Sequence, residues 1–173
     1  MNVPSREAPS VERPRWLPFV LIVAVVVTLD QVAKAWITSN LAPGASMAFA
    51  GDWIRLVHGQ NTGGLFGILR DSAAGLAGVS VAVAVGIVWY QSRAGASWYV
   101  TLALGLLLGG AIGNFVDRLR LGYVVDFVDA GLGNVRWWTF NVADASISAS
   151  LVLLLLAGLW PALASPGGAA SDA

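Results

Sequence analysis

The stretch AGASWYVTLALGLLLGGAIGNFV, residues 94–116, runs 23 residues without a charge, and its reading decides the fold. A helix rising about 1.5 Å per residue needs roughly 20 apolar residues to cross a hydrocarbon layer of about 30 Å. This run is long enough. Working outward, two more uncharged runs qualify, 21 residues from Ser72 to Ser92 and 27 from Ala145 to Ser171. A fourth, 14 residues from Trp16 to Leu29, reaches span length only if Asp30 and Lys34 are admitted and the helix continues to Ile37. Trp and Tyr concentrate at the two membrane interfaces. Here Trp16 and Trp36 bracket the first run, Trp89, Tyr90, Trp98 and Tyr99 flank a turn at Arg93, Trp137 and Trp138 precede the last run, and Trp160 closes it. The expectation is an all-α polytopic membrane protein with four transmembrane helices, at about 16–38, 72–91, 97–116 and 142–163, in one unit over 16–164.

Composition narrows the chemistry. Hydrophobic residues make up 57% and charged residues 12%, where soluble domains carry about a quarter charged. Net charge is zero and the basic residues are scattered, so the positive stripe that nucleic-acid binding needs is missing. There is no Cys and a single His, His58, which excludes disulfides, thiol nucleophiles, haem attachment and Cys or multi-His zinc sites. Any chemistry rests on oxygen and nitrogen groups. The Pro-, Gly- and Ser-bearing ends, 1–15 and 165–173, read as disordered tails.

Orientation is read from the arginines. Arg6, Arg13, Arg15 and Arg93 fall on one side of the membrane, and Arg55, Arg70, Arg118, Arg120 and Arg136 on the other. The raw balance is nearly even, but three Arg immediately before the first span favour cytoplasmic termini, with the segments 39–71 and 117–141 facing outward. No small-x-small cleavage site precedes Asp30, so the first span reads as retained. Trp53–His58 is β-prone, and Gln60–Gly64 is a turn signal, which together fit a small β-rich sheet or hairpin lying on the extracytoplasmic, outer face of the membrane.

Ionisable groups in or beside spans are costly, and each is a functional hypothesis by default. Asp30 and Lys34 stand four apart on one helical face, acid first, the favourable order for an ion pair. A pair that pins the first span to its neighbours is the plainest reading. A denser group lies at one membrane face: Asn114, Asp117, Arg118, Asp126, Asn141 and Asp144. Asp126 sits among Tyr123, Val124, Val125, Phe127 and Val128, where desolvation disfavours its charge. Asp144 falls in the first turn of a helix, whose dipole favours a negative charge. Two carboxyls in contrasting surroundings are what a proton-sharing aspartic dyad needs, one accepting a proton from water while the other donates to a carbonyl. Blander readings stand beside this: Asp117 and Arg118 as an architectural charge pair, Asp129 as a solvated loop residue, Asn114 and Asn141 as helix-to-helix hydrogen-bond glue, and Asp126 and Asp144 as independent local charges. Gly109–Gly113 reads as close helix packing rather than a phosphate cradle.

Five motifs recur in order: Asp30-Gln31-Val32-Ala33-Lys34, Asn61-Thr62-Gly63-Gly64-Leu65-Phe66, Gly109 to Arg118, Val124-Val125-Asp126-Phe127 and Phe140-Asn141-Val142-Ala143-Asp144. In this order and spacing the chain resembles the lipoprotein signal peptidase family, signal peptidase II, over about 16–160. The resemblance implies an aspartic endopeptidase of the bacterial inner membrane that removes the signal peptide of diacylglyceryl-modified prolipoproteins, cutting before the lipidated Cys, without metal or other cofactor. It puts the catalytic pair on Asp126 and Asp144. The substrate-groove lining falls on Asn61, Asn114, Arg118 and Asn141, with Gly63 allowing close backbone approach, and Asp30, Lys34 and Asp117 hold the spans and orient that shell. The outward segments are implied to form a small β-rich extracytoplasmic cradle. Partners are then prolipoproteins and membrane lipid, with the chain acting as a monomer. The chain departs from the family in Trp137-Trp138-Thr139, where a Pro is frequent, and in Ala145 between Asp144 and Ser146. The competing class is a small transporter or proton-conducting protein, which would place acids at the bilayer midplane and show inverted repeats.

Overall fold

The computed structural model describes residues 14–63, 73–94 and 97–165. In chain order the elements are α1 (Trp16–Asn40), β1 (Ser46–Ala50), β2 (Ile54–Asn61), α2 (Ala73–Ala94), α3 (Trp98–Leu121), β3 (Val124–Leu132), β4 (Val135–Arg136) and α4 (Val142–Leu159), followed by a 3-10 turn at Pro161–Ala164. All four α-helices are long and apolar enough to cross a membrane. Nearly all of both tails, and the segment 64–72 with the end of the second motif, lie outside the described residues.

Helix α3 is the hub. It packs against α1, α2 and α4, whereas α2 touches α3 alone among the described elements. The reason is written in its glycines. A Cβ at Gly105 or Gly109 would come within 2.8 or 2.7 Å of Ile22 or Val26 on α1, and one at Gly110 within 2.5 Å of the Ala143 carbonyl on α4. Small residues let backbones approach to distances that any side chain would forbid. The outward faces of the other helices are apolar, with Val20, Leu21, Val25 and Leu29 on α1 and Leu151, Val152 and Leu155 on α4 exposed. A helix apolar all round suits lipid on its outer side.

The ends of α3 are chemically marked. The Ser97 side chain accepts from the Val100 N–H at its start, and Gly122 closes it in the left-handed region at φ 79°, donating to the Arg118 carbonyl at 3.1 Å. The helix therefore runs past 116, and Asp117 and Arg118 belong to its last turns rather than to an outer loop. The chain turns straight into β3.

The four strands form an antiparallel sheet in the order β1-β2-β3-β4. The β-prone stretch at 53–58 lies mostly in β2, while β3 is built from the apolar run that surrounds Asp126. Between β2 and β3 the register slips from Leu56↔Val128 to Gly59↔Asp126, an irregularity beside Asp126 of the kind that re-aims a side chain. Beyond β4 the chain pairs back on β3, Phe140 exchanging hydrogen bonds with Val128, which delivers Asn141 and α4 alongside Asp126. Ile37, Val125 and Phe127 form the buried cluster that joins α1 to the underside of the sheet. Burial of each such side chain stabilises by about 1.5–3 kcal/mol.

Candidate active site

The site is built in two tiers where α1, α3, α4 and β3 meet. In the inner tier the Lys34 ammonium lies 2.8 Å from Asp30 and 2.9 Å from Asp117, all three side chains buried, and donates to Asn114 Oδ1 at 3.1 Å. An ammonium has three protons to give, and here each finds an acceptor. The Asp30 and Lys34 pair expected from the sequence is present. Asp117 pairs with Lys34 and not with Arg118, whose guanidinium is turned to the carbonyls of Gly63 and Asn114.

Each of these carboxylates also seizes a backbone donor. Asp30 Oδ1 accepts from the Ala143 N–H at 2.9 Å, in the first turn of α4, and Asp117 Oδ2 accepts from the Val125 N–H at 3.0 Å, at the start of β3. Gln31 bridges the two, its Nε2 within 3.2 Å of Asp30 Oδ2 and 3.0 Å of Asp117 Oδ1. Gln31 lies within the Asp30–Lys34 motif, but sequence spacing alone gives it no partner. The inner tier thus ties α1, α3, α4 and β3 to one buried cation. Gly113 makes room for it, since a Cβ there would meet Asp30 Oδ2 at 2.7 Å.

The outer tier holds Asp126, from β3, and Asp144, from the first turn of α4. Asn141 caps α4: its Oδ1 accepts from the Asp144 N–H at 2.8 Å, and Asp144 Oδ2 accepts from the Asn141 N–H at 3.3 Å, a reciprocal capping box. The Asn141 Nδ2 reaches across to Asp126 Oδ1 at 2.8 Å, and Asn61 Nδ2 holds Asp126 Oδ2 at 2.9 Å. Asn114 Nδ2 holds Asp144 Oδ1 at 2.8 Å. Among the described residues neither carboxylate lies within ion-pair distance of a cation. Arg118 stands close enough to act on both through space, while its guanidinium donates to the carbonyls of Gly63 at 3.3 Å and Asn114 at 3.4 Å.

All ten residues nominated from the sequence, Asp126, Asp144, Asn61, Gly63, Asn114, Arg118, Asn141, Asp30, Lys34 and Asp117, therefore fall in one connected network. Asn141 is fully buried and Asn114 nearly so; both stand behind the carboxylates. Asp129 is not a solvated loop residue. It lies in β3 and is held by Arg136 at 2.7 Å. Burial, reinforced by the negative charge of Asp144, pushes the Asp126 carboxyl up to about 6, against the hydrogen bonds from Asn61 and Asn141 and the charge of Lys34. Two adjacent carboxyls, one of them taking up a proton near pH 6, can exchange a proton with water and with a carbonyl oxygen.

The model of the family described as signal peptidase (SPase) II matches residues 22–160. This chain belongs to the signal peptidase II family. It is 42% identical over 153 residues to the lipoprotein signal peptidase of Caulobacter vibrioides, with 85% of this chain and 89% of that one covered. It is 37% identical to the lipoprotein signal peptidase of Moorella thermoacetica over 84% of this chain and 95% of the other. Among solved structures, one described as a bacterial membrane enzyme obtained by the in meso method at 2.3 Å resolution superposes with a TM-score of 0.80 and 29% identity, covering 86% of this chain and 91% of its own. A second of the same description, at 1.9 Å, gives 0.79 and 28%, covering 86% and 97%. With four span-length helices and this family membership, the chain is a multi-pass membrane protein and a protease of the signal peptidase II type.

Proposed function

We propose that this peptidase is of the aspartic type and that Asp126 and Asp144 are its catalytic pair, acting on prolipoproteins whose Cys carries a diacylglyceryl group. The observation that carries the reading is the outer tier: two carboxylates from different elements, sharing one amide network, with no cation paired to either among the described residues. The proton shared by the pair is assigned to Asp126, whose carboxyl is pushed up to about 6 by burial. Asp144 then takes a proton from water as the water oxygen attacks the scissile carbonyl carbon, while Asp126 protonates the carbonyl oxygen. As the tetrahedral intermediate collapses, the C–N bond breaks, the amine nitrogen receives the proton held on Asp144, and Asp126 recovers its own from the hydroxyl. Arg118 supplies a positive field beside the two carboxylates as their protonation states change.

The placement that suits this chemistry has both termini in the cytoplasm, the chain in the bacterial inner membrane as a monomer, and the sheet as a cradle on the outer face. Three Arg before α1 support that orientation. A substrate anchored by a signal helix and acyl chains presents its scissile bond near an interface, where water is still available. Family membership does not favour the transporter reading.

The test is cleavage by purified protein in lipid, followed by mass. A diacylglyceryl-modified prolipoprotein is expected to lose its signal peptide just before the lipidated Cys, and the unmodified precursor to remain intact. Equal cleavage of both, or of neither by folded protein, contradicts the proposal.

A further inference from the structure

An amide side chain has one end that only accepts and one that only donates, so its sense is dictated by what it faces. Three asparagines point their nitrogens at the two carboxylates, and each needs its oxygen anchored to do so. Asn61 Oδ1 is held by the Gly63 N–H at 3.0 Å, and Asn141 Oδ1 by the Asp144 N–H at 2.8 Å. Backbone N–H groups cannot reverse. Asn114 is different: its Oδ1 is held by the Lys34 ammonium at 3.1 Å and by the Asn141 amide at 3.2 Å, with no backbone donor among the hydrogen bonds of the described residues.

We propose that Lys34 is a positioning residue for the peptidase reaction: by fixing the oxygen end of Asn114 it directs that amide's NH2 at Asp144, and so presents Asp144 with a free lone pair toward water. This rests on the dyad reading above and goes beyond it. Lys34 touches neither catalytic carboxylate in hydrogen-bond contact; beside the through-space pull of its charge on both, its orienting effect passes through one amide. Without the ammonium, among the described residues only the Asn141 amide, shared with Asp126 and the Val125 carbonyl, holds the oxygen end of Asn114 against a flip that would set an acceptor against the Asp144 carboxylate. Removal of the inner tier would also loosen the bundle, so the structural and positioning effects must be separated.

The experiment is a mutant cycle in a charge-matched background. Lys34→Met combined with Asp117→Asn removes the ammonium while leaving the net charge of the buried cluster unchanged. This double substitution and Asn114→Leu are made separately and together, with single-turnover cleavage of a diacylglyceryl-modified prolipoprotein and thermal unfolding in detergent measured for each. The expected result is a roughly tenfold or larger fall in kcat from the double substitution, with KM little changed, and almost no further fall once Asn114 is Leu. A full additional loss in the Asn114→Leu background, or a kcat unchanged in folded protein, overturns the proposal. If the double variant does not fold, Asn114→Leu alone decides: it keeps the Lys34 ion pairs, and an undiminished kcat in that variant sinks the relay. Asp144→Asn is run alongside. Cleavage by that variant at the wild-type rate would mean that the dyad reading itself had failed, not merely the relay.

Discussion

Two pairs of aspartates lie close together in this protein, and they are treated in opposite ways. Asp30 and Asp117 close on the Lys34 ammonium at 2.8 and 2.9 Å and each holds a backbone N–H of another element. Among the described residues, Asp126 and Asp144 receive only neutral donors, the amides of Asn61, Asn114 and Asn141 and a backbone N–H. The first pair has its charge matched and its geometry locked, so a proton has little reason to move there. The second is held in position without being neutralised by a cation, and a carboxyl in that condition keeps its proton to a higher pH. Compensation marks the group that holds the fold; its absence, in a preorganised frame, marks the group proposed to do chemistry.

The contrast can be broken by substitution. The largest effect is expected for Asp126→Asn or Asp144→Asn, each lowering kcat by about a thousandfold or more, since a general acid or base is worth roughly 10²–10⁴ and the pair works as a unit. Single-turnover mass analysis of the substrate checks this. Lys34→Met alone strands two buried carboxylates around an apolar chain and should cost about 3–5 kcal/mol, read as a loss of thermal stability. Gly110→Ala drives a methyl toward the Ala143 carbonyl at 2.5 Å. It should cost about 1–3 kcal/mol through displacement of α4, with activity falling because α4 carries Asp144. Gly122→Ala places a side chain at φ 79° where α3 turns into β3. A loss of about 1–2 kcal/mol is expected, measurable by the same unfolding assay.

The smallest effect sharpens the comparison through pH. The folded Asp126 value, about 6, lies above the ordinary carboxylate value near 4. Between those values the folded protein binds a proton that the unfolded chain does not. The contribution of Asp126 to stability is therefore fully present below about pH 4 and is lost as pH rises through about 6. Infrared titration should show a protonated carboxyl band disappearing with a midpoint near 6, and Asp126→Asn should remove that band. A midpoint near 4 would put the resting proton elsewhere.

Much of this was legible in sequence because charges punctuate an otherwise apolar chain. The uncharged runs marked the helices, and Asp126 and Asp144 were conspicuous as acids beside spans. Asp144 was also readable as an acid in the first turn of a helix, while the capping box it makes with Asn141 emerges from the structure. What failed was pairing at a distance. Asp117 beside Arg118 suggested a local partner, but the guanidinium turns to the Gly63 and Asn114 carbonyls, and the true partner, Lys34, lies on another helix. Asp129 looked like a loop acid because a short run between turns carries little periodic signal; the strand and Arg136 emerge only from the register of β3 against β4. The resemblance puts Asn114 and Asn141 in the groove lining; which end of each amide faces a carboxylate comes only from the structure.

The most direct measurement compares the two aspartate pairs in one experiment: Asp30→Asn, Asp117→Asn, Asp126→Asn and Asp144→Asn, each assayed for single-turnover cleavage of a diacylglyceryl-modified prolipoprotein and for thermal unfolding in detergent. The expected result is that the first two lower the unfolding temperature and reduce cleavage only in proportion, while the last two abolish cleavage in protein that unfolds at or near the wild-type temperature. Cleavage close to the wild-type rate by folded Asp126→Asn or Asp144→Asn would contradict the assignment of catalysis to the uncompensated pair.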